Sequence, residues 1–221
     1  TGNASNTAKW SPSQLPVPAD DLFFPGATVF TITFDNTVPT VNSHTYRNTV
    51  NSTLTISSPH TVTADVDVAT ISGDNATVHV GSGQLNVGGN TTLGDVSGST
   101  GTMTIDGNDA SLILTGATGD YFAGRSGVGN LTITGGGFVE TGDDFIIGSL
   151  GSGSGTVTVN GGTGSFPNLD LSRVETIGAN GDVFVGNSGS GTLNIQSGGF
   201  VRSAHDVRIG IASGETGSVD L

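Results

Sequence analysis

Acidic residues recur through this chain at the heads of short apolar runs. Asp120-Tyr-Phe-Ala-Gly124, Asp144-Phe-Ile-Ile-Gly148, Asp182-Val-Phe-Val-Gly186 and Asp206-Val-Arg-Ile-Gly210 share one motif, and Asn90 holds the same place in an earlier unit. Carboxylates stacked ~5 Å apart repel one another unless something compensates. Ca2+ between Asp143, Asp144 and a neighbouring turn would do so, although the nine-residue Gly-Gly-x-Gly-x-Asp calcium repeat is missing. Hydrogen bonds from the backbone of each residue's own turn would also do so, and Asn90 would accept them as well as any Asp. Acid–base chemistry on polysaccharides is poorly served. Asp143 and Asp144 are adjacent, so in a strand they point to opposite faces, and His205 and Arg208 stand without a Gly-His-Gly or Arg-Ile-Lys hydrolase motif. With no Cys, no Ser/His/Asp pattern and no phosphate loop, no catalytic residue is assigned and no enzyme is expected.

Two further sets of side chains could bind rather than react. One is polar: Thr53, Thr102, Thr156 and Thr192 form one outward column, and Thr55, Thr104, Thr132 and Thr158 form a second. His79, Asn130, Asn194 and Asp220 interrupt it. Such a flat Thr-x-Thr array resembles the ice-binding face of antifreeze β-solenoids, while threonine is also simply a favoured residue on a solvated strand. The other set is apolar. Phe122, Ile146 and Phe184 alternate against inward neighbours, and Phe138 and Phe200 fall outside when Val139 and Val201 face in, with Phe166 between them. Exposed aromatics stacked in this way call for a cover: an inserted loop, a partner protomer or a glycan.

What positions these sets is a repeat. Gly101-Thr-Met-Thr-Ile105, Gly129-Asn-Leu-Thr-Ile133, Gly155-Thr-Val-Thr-Val159, Gly191-Thr-Leu-Asn-Ile195 and Gly217-Ser-Val-Asp-Leu221 are one motif at spacings of 28, 26, 36 and 26. Gly136-Gly-Phe-Val139 and Gly198-Gly-Phe-Val201 are a third. Periods in the twenties, short strand-like pieces and turn residues between them predict an all-β, right-handed parallel β-helix of about seven three-strand coils. Its core is a file of Leu54, Val78, Met103, Leu131, Val157, Leu193 and Val219, with Ile56, Val80, Ile105, Ile133, Val159, Ile195 and Leu221 beside it. Residues 1–26, with Trp10, Leu22 and Phe24, read as an N-terminal cap. Residues 27–221 are the solenoid, in which Phe30, Ile32 and Phe34 face in and the 161–181 stretch carries an insertion of about ten residues that loops from one face.

Composition narrows the partners. Net charge is −13 and Lys9 is the only lysine, so phosphate backbones would be repelled and nucleic acid is not expected. No apolar run is long enough to span a bilayer, so membrane insertion is not expected either. The chain opens Thr1-Gly-Asn3 without Met, as a secreted chain does once its signal is removed; an arbitrary boundary would read alike. It stops at Leu221 one strand into a further coil, which fits either continuation of the chain or stacking of one copy on the next.

Trp10, Pro18-Ala-Asp-Asp-Leu-Phe-Phe24, and the Gly-Thr-φ-Thr-φ and Gly-Gly-Phe-Val repeats resemble the passenger β-helices of autotransporter-like adhesins and sorting-type cell-surface proteins of Gram-negative bacteria. The similarity runs over nearly the whole chain and is specific for architecture. It implies display at the cell surface or secretion, a structural or adhesive role, and a glycan or cell-surface ligand. The residues and the resemblance together lead to the expectation of a non-enzymatic extracellular β-helix, able to join end to end into a filament. Ice binding is the second reading and action on polysaccharide the third.

Overall fold

The computed structural model describes residues 2–3, 14–26, 31–34, 40–48, 52–161 and 172–221. They form a right-handed parallel β-helix of about seven turns without a helix. Three parallel sheets of nine, eight and six strands make its faces. One coil shows the plan. Thr100–Asp106 lies in the first sheet, Ser111–Leu114 in the third, Tyr121–Ala123 in the second, and Val128–Thr134 returns to the first one layer higher.

Alternation explains the strands. In Thr100–Asp106 the buried residues are Gly101, Met103 and Ile105, and Thr102 and Thr104 lie between them half-exposed. Only an extended backbone puts successive side chains on opposite faces, and only a neighbour above and below hides the inward ones. The stacking is strictly in register. Leu54, Val78, Met103, Leu131, Val157, Leu193 and Val219 are consecutive Cα partners, a single file along the axis. The file beside it is equally aligned from Ile56 to Ile195. Leu221 departs from the expected file: it lies beyond the Gly217–Asp220 strand and is 97% exposed. Inside the second sheet, Tyr121 stacks on Phe145 with ring centroids 4.9 Å apart.

The glycine that ends each Asp-headed motif has a stated cause. Gly124, Gly148 and Gly186 turn the chain from the second sheet into the first at φ near +74, +73 and +74. A Cβ on Gly148 would stand 2.2 Å from the Ser190 carbonyl oxygen of the coil above, so neither conformation nor space admits a side chain.

The N-terminal segment contributes strands to the sheets. Gly2–Asn3 pairs with Thr31–Phe34, and Asp21–Gly26 pairs with Ser43–Asn48, so strands of the solenoid begin before residue 27. Leu22, Phe24 and Phe34 are buried as their alternation requires. Trp10 and Phe30 lie outside the described residues, as does the side chain of Ile32. Within 161–181, Arg173–Thr176 pairs regularly with Phe138–Thr141, and residues 177–181 make an ordinary corner. The extra residues therefore fall within 162–171, outside the described residues, and Phe166 with them.

If the file at Leu131 is the core, Leu131→Ala should lower stability by about 2–5 kcal/mol. Thr132→Ala, one residue along and half-exposed, should stay within about 0.5 kcal/mol. Denaturant titration followed by circular dichroism checks the contrast, and equal losses at both positions would contradict the alternation.

Candidate functional site

The acidic column is a ladder of hydrogen bonds between coils. Asp65 Oδ1 accepts the N–H of Asn90 at 2.7 Å, and Asn90 Oδ1 accepts that of Asp120 at 2.9 Å. Asp120, Asp144 and Asp182 accept in turn from the N–H groups of Asp144, Asp182 and Asp206, at 3.0, 2.9 and 2.8 Å. Each side chain thus caps the next coil's backbone, whereas the sequence pointed to its own turn. A parallel stack puts the equivalent residue of the next layer nearer than the rest of its own corner. Asn90 serves as well as aspartate because an amide oxygen accepts in the same place.

The charges bring repulsion with them. Burial, with the charges of Asp143 and its stacked neighbours adding to it, raises the Asp120 and Asp144 carboxyls above the usual range against the pull of the accepted N–H. Asp182 goes the other way. Its desolvation is outweighed by His205 Nδ1 at 2.9 Å, by the Asp206 N–H and by Arg208. Asp182, His205 and Asp206 are the one grouping of three metal-type donors among the described residues. Arg208 already offsets part of its charge, with Nη2 at 3.2 Å from Asp182 Oδ2 and 3.0 Å from Asp206 Oδ2. Asp143 and Asp144 enter no such grouping.

The apolar column is real and is mostly covered. Thr92, Phe122, Ile146, Phe184 and Arg208 are consecutive partners on the outer face of the second sheet. Yet Ile146 is 6% exposed and Phe184 9%, with Phe122 half-buried. Stacking at strand spacing lets each outward side chain shield the next. Arginines help: the Arg125 guanidinium lies 6.0 Å from the Phe122 ring centroid and that of Arg208 lies 5.5 Å from Phe184. On the third sheet, Phe138, Arg173 and Phe200 are consecutive partners, and Arg173 sits 3.8 Å over Phe138. Arg173 is the neighbour that the column places between the two phenylalanines, and Phe166 lies outside the described residues. Cation–π attraction to a guanidinium is the cover that sequence alone did not reveal.

The threonine columns are also in register. Thr53, Thr77, Thr102, Asn130, Thr156 and Thr192 are consecutive partners, as are Thr55, His79, Thr104, Thr132, Thr158 and Asn194. From Thr102 to Thr192 all are half-exposed on a sheet without a bulge between described partners. Of the Thr53 side chain nothing is described.

One group escaped the sequence reading. His44, Tyr46 and His60 are buried inside the N-terminal coils, where Tyr46 Oη bonds His44 Nδ1 and the two Nε2 atoms are 3.1 Å apart. The alternation His44-Thr-Tyr46 and the position of His60 opposite an apolar file were the available signal.

The fold and its faces define the class: a right-handed parallel β-helix whose described polar groups work largely between coils. No family model, no curated protein and no solved structure matches this chain.

The ladder predicts a split between two substitutions. Asp144→Ala leaves the Asp182 N–H without its acceptor and should cost about 1–3 kcal/mol. Asp144→Asn keeps the acceptor and removes a charge. Because the folded state raises the Asp144 carboxyl, its ionised form lowers stability once pH exceeds the unfolded value. Asp144→Asn should therefore raise the melting temperature at pH 7, with the gain fading as pH falls through the raised folded value towards the unfolded value of 3.8. Melting curves at pH 7 and pH 4 check both sign and direction.

Proposed function

We propose that this chain is a non-catalytic structural and adhesive β-helix module that acts outside the cell and joins end to end with further copies of itself. The observation that carries the reading is the upper face of the last coil. Val207 and Ile209 occupy inward positions and are the register partners of Val183 and Val185. Those two are fully buried, while Val207 is 54% exposed and Ile209 52%. The strands Phe200–Arg202, Val207–Ile209 and Gly217–Asp220 are the outermost of their three sheets. Their outer backbone edges and the lumen positions of Val207 and Ile209 lie at the same end of the stack. Such an edge pairs best with a coil carrying the same spacing of apolar residues, which further coils of the same kind or a second copy would supply.

The resemblance to autotransporter-like passengers supports display at the cell surface. The acidic surface, at net charge −13, favours neutral or basic surface ligands over nucleic acid. A glycan would meet the half-exposed Phe122, Phe138 and Phe200, since Ile146 and Phe184 are already enclosed.

Light scattering after size exclusion, with negative-stain microscopy across a concentration series, tests the joining. The wild type should give rods that lengthen with concentration. Ile209→Lys, which places a charge on the half-exposed upper face over Val185, should stay monomeric. A wild type that stays monodisperse at the highest concentration would sink the end-to-end reading.

A second reading, ice binding, is favoured by one observation: Thr102, Thr156 and Thr192, with Thr104, Thr132 and Thr158, lie in two aligned half-exposed columns. Rungs repeat at ~4.8 Å along each column, with a hydroxyl and a methyl at every one from Thr104 to Thr158 and, in the first column, at all but Asn130. Thermal hysteresis measured on wild type and Thr132→Tyr decides it. Hysteresis abolished by the bulky ring supports ice binding, and none in the wild type removes it.

A further inference from the structure

We propose that the buried Tyr46–His44–His60 chain makes the N-terminal coils a proton-operated section of the solenoid, which opens as its surroundings acidify while the coils above stay stacked. The geometry gives the reason. His44 Nε2 and His60 Nε2 lie 3.1 Å apart and share one hydrogen bond, so one nitrogen donates and the other must accept. Tyr46 Oη occupies His44 Nδ1. A second proton at the Nε2 contact would set two N–H groups against each other. A proton elsewhere on either ring would create a cation inside the core.

The surroundings offer little to such a cation. Phe34 lies 4.5 Å from the His60 ring and 5.3 Å from that of His44, and Phe24 lies 5.7 Å from His44. A desolvated cation–π contact returns less than burying an ion costs. Charged groups on the packed strands all lie at outward positions. Asp21 is bonded to Ser43 and Asn42, Arg47 is 3.8 Å from Asp74, and Asp67 stands beside Thr92 in the outer column. Among the described residues no carboxylate bonds either imidazole.

Proton uptake then follows a definite direction. Burial, together with the neighbouring His60 charge, holds His44 well below its usual range, and burial holds His60 at about 4. The neutral rings contribute stability in full above about pH 6.5, the unfolded value, and that contribution is lost as pH falls towards the folded values. Asp67 opposes this, because burial and the charges of Asp65 and Asp95 raise it to about 6, so its protonation favours the folded state. Asp21, held low chiefly by Ser43, responds only below the ordinary carboxylate range. Two histidines against one aspartate leave a net gain of protons on opening. In the upper coils the raised carboxyls are Asp120, Asp144 and Glu140, and acid relieves their repulsion. Asp182 is held low and responds only below the ordinary carboxylate range, so between pH 6.5 and 5 no shifted group among the described residues of the upper coils opens them on protonation.

Hydrogen exchange by mass spectrometry on the full chain, corrected for intrinsic rates, reads this strand by strand. Between pH 6.5 and 5, protection in Ser43–Asn48 and His60–Val62 should fall by about ten-fold per pH unit, the effect of one net proton. Val128–Thr134 and Ser154–Asn160 should hold theirs. The double variant H44F/H60F should lose the acid response. If it does not fold, His60→Gln, which keeps a neutral polar group opposite His44, should flatten the slope. Loss spread evenly over all strands, no loss in the wild type, or an unchanged slope in the substituted chains would overturn the proposal.

Discussion

Register between coils is the constraint on which the molecule rests. A single turn of some 26 residues cannot enclose its own apolar side chains, because they point into a lumen open above and below. Placing Leu131 between Met103 and Val157 closes that lumen, and the same translation pairs the backbone edges of all three sheets. Burial and hydrogen bonding are therefore won by one displacement along the axis. Corners must repeat with equal strictness, which is why Gly148 meets the Ser190 carbonyl so closely.

A stack built this way multiplies every outward choice. An aspartate at the head of a strand becomes a column of aspartates, with the repulsion this implies. The column tolerates it because each carboxylate oxygen receives a backbone N–H from the next layer. A charge-assisted bond is stronger than a neutral one, but the desolvation it must offset grows with every added neighbour. Asn90 at one rung and Arg208 near the upper rungs lower the accumulated charge.

The three faces divide the outward surface by chemistry. The first sheet is rich in threonine, the second carries the acid ladder beside an enclosed apolar file, and the third sets Arg173 between Phe138 and Phe200. Polar chemistry also enters the lumen at the N-terminal coils, where a tyrosine and two histidines replace aliphatic residues. Nearest-neighbour stacking lets such a section differ in stability from the rest without disturbing it.

Period and alternation alone determined the architecture and the members of the core file, because side-chain direction in a strand has a period of two and stacked coils repeat at fixed length. The same patterns put Thr102, Thr104 and Phe122 at positions that alternate with the buried ones. They left open how far an outward residue is covered, since Ile146 and Phe184 are hidden by residues 24 or more positions away and by Arg208. Nor could they assign the partner of each aspartate, because the N–H it caps belongs to another layer. His44 and His60, sixteen positions apart, meet only because the chain turns a corner between them inside the lumen. A local pattern fixes which way a side chain points, while what it meets there depends on residues brought near by the winding of the coil.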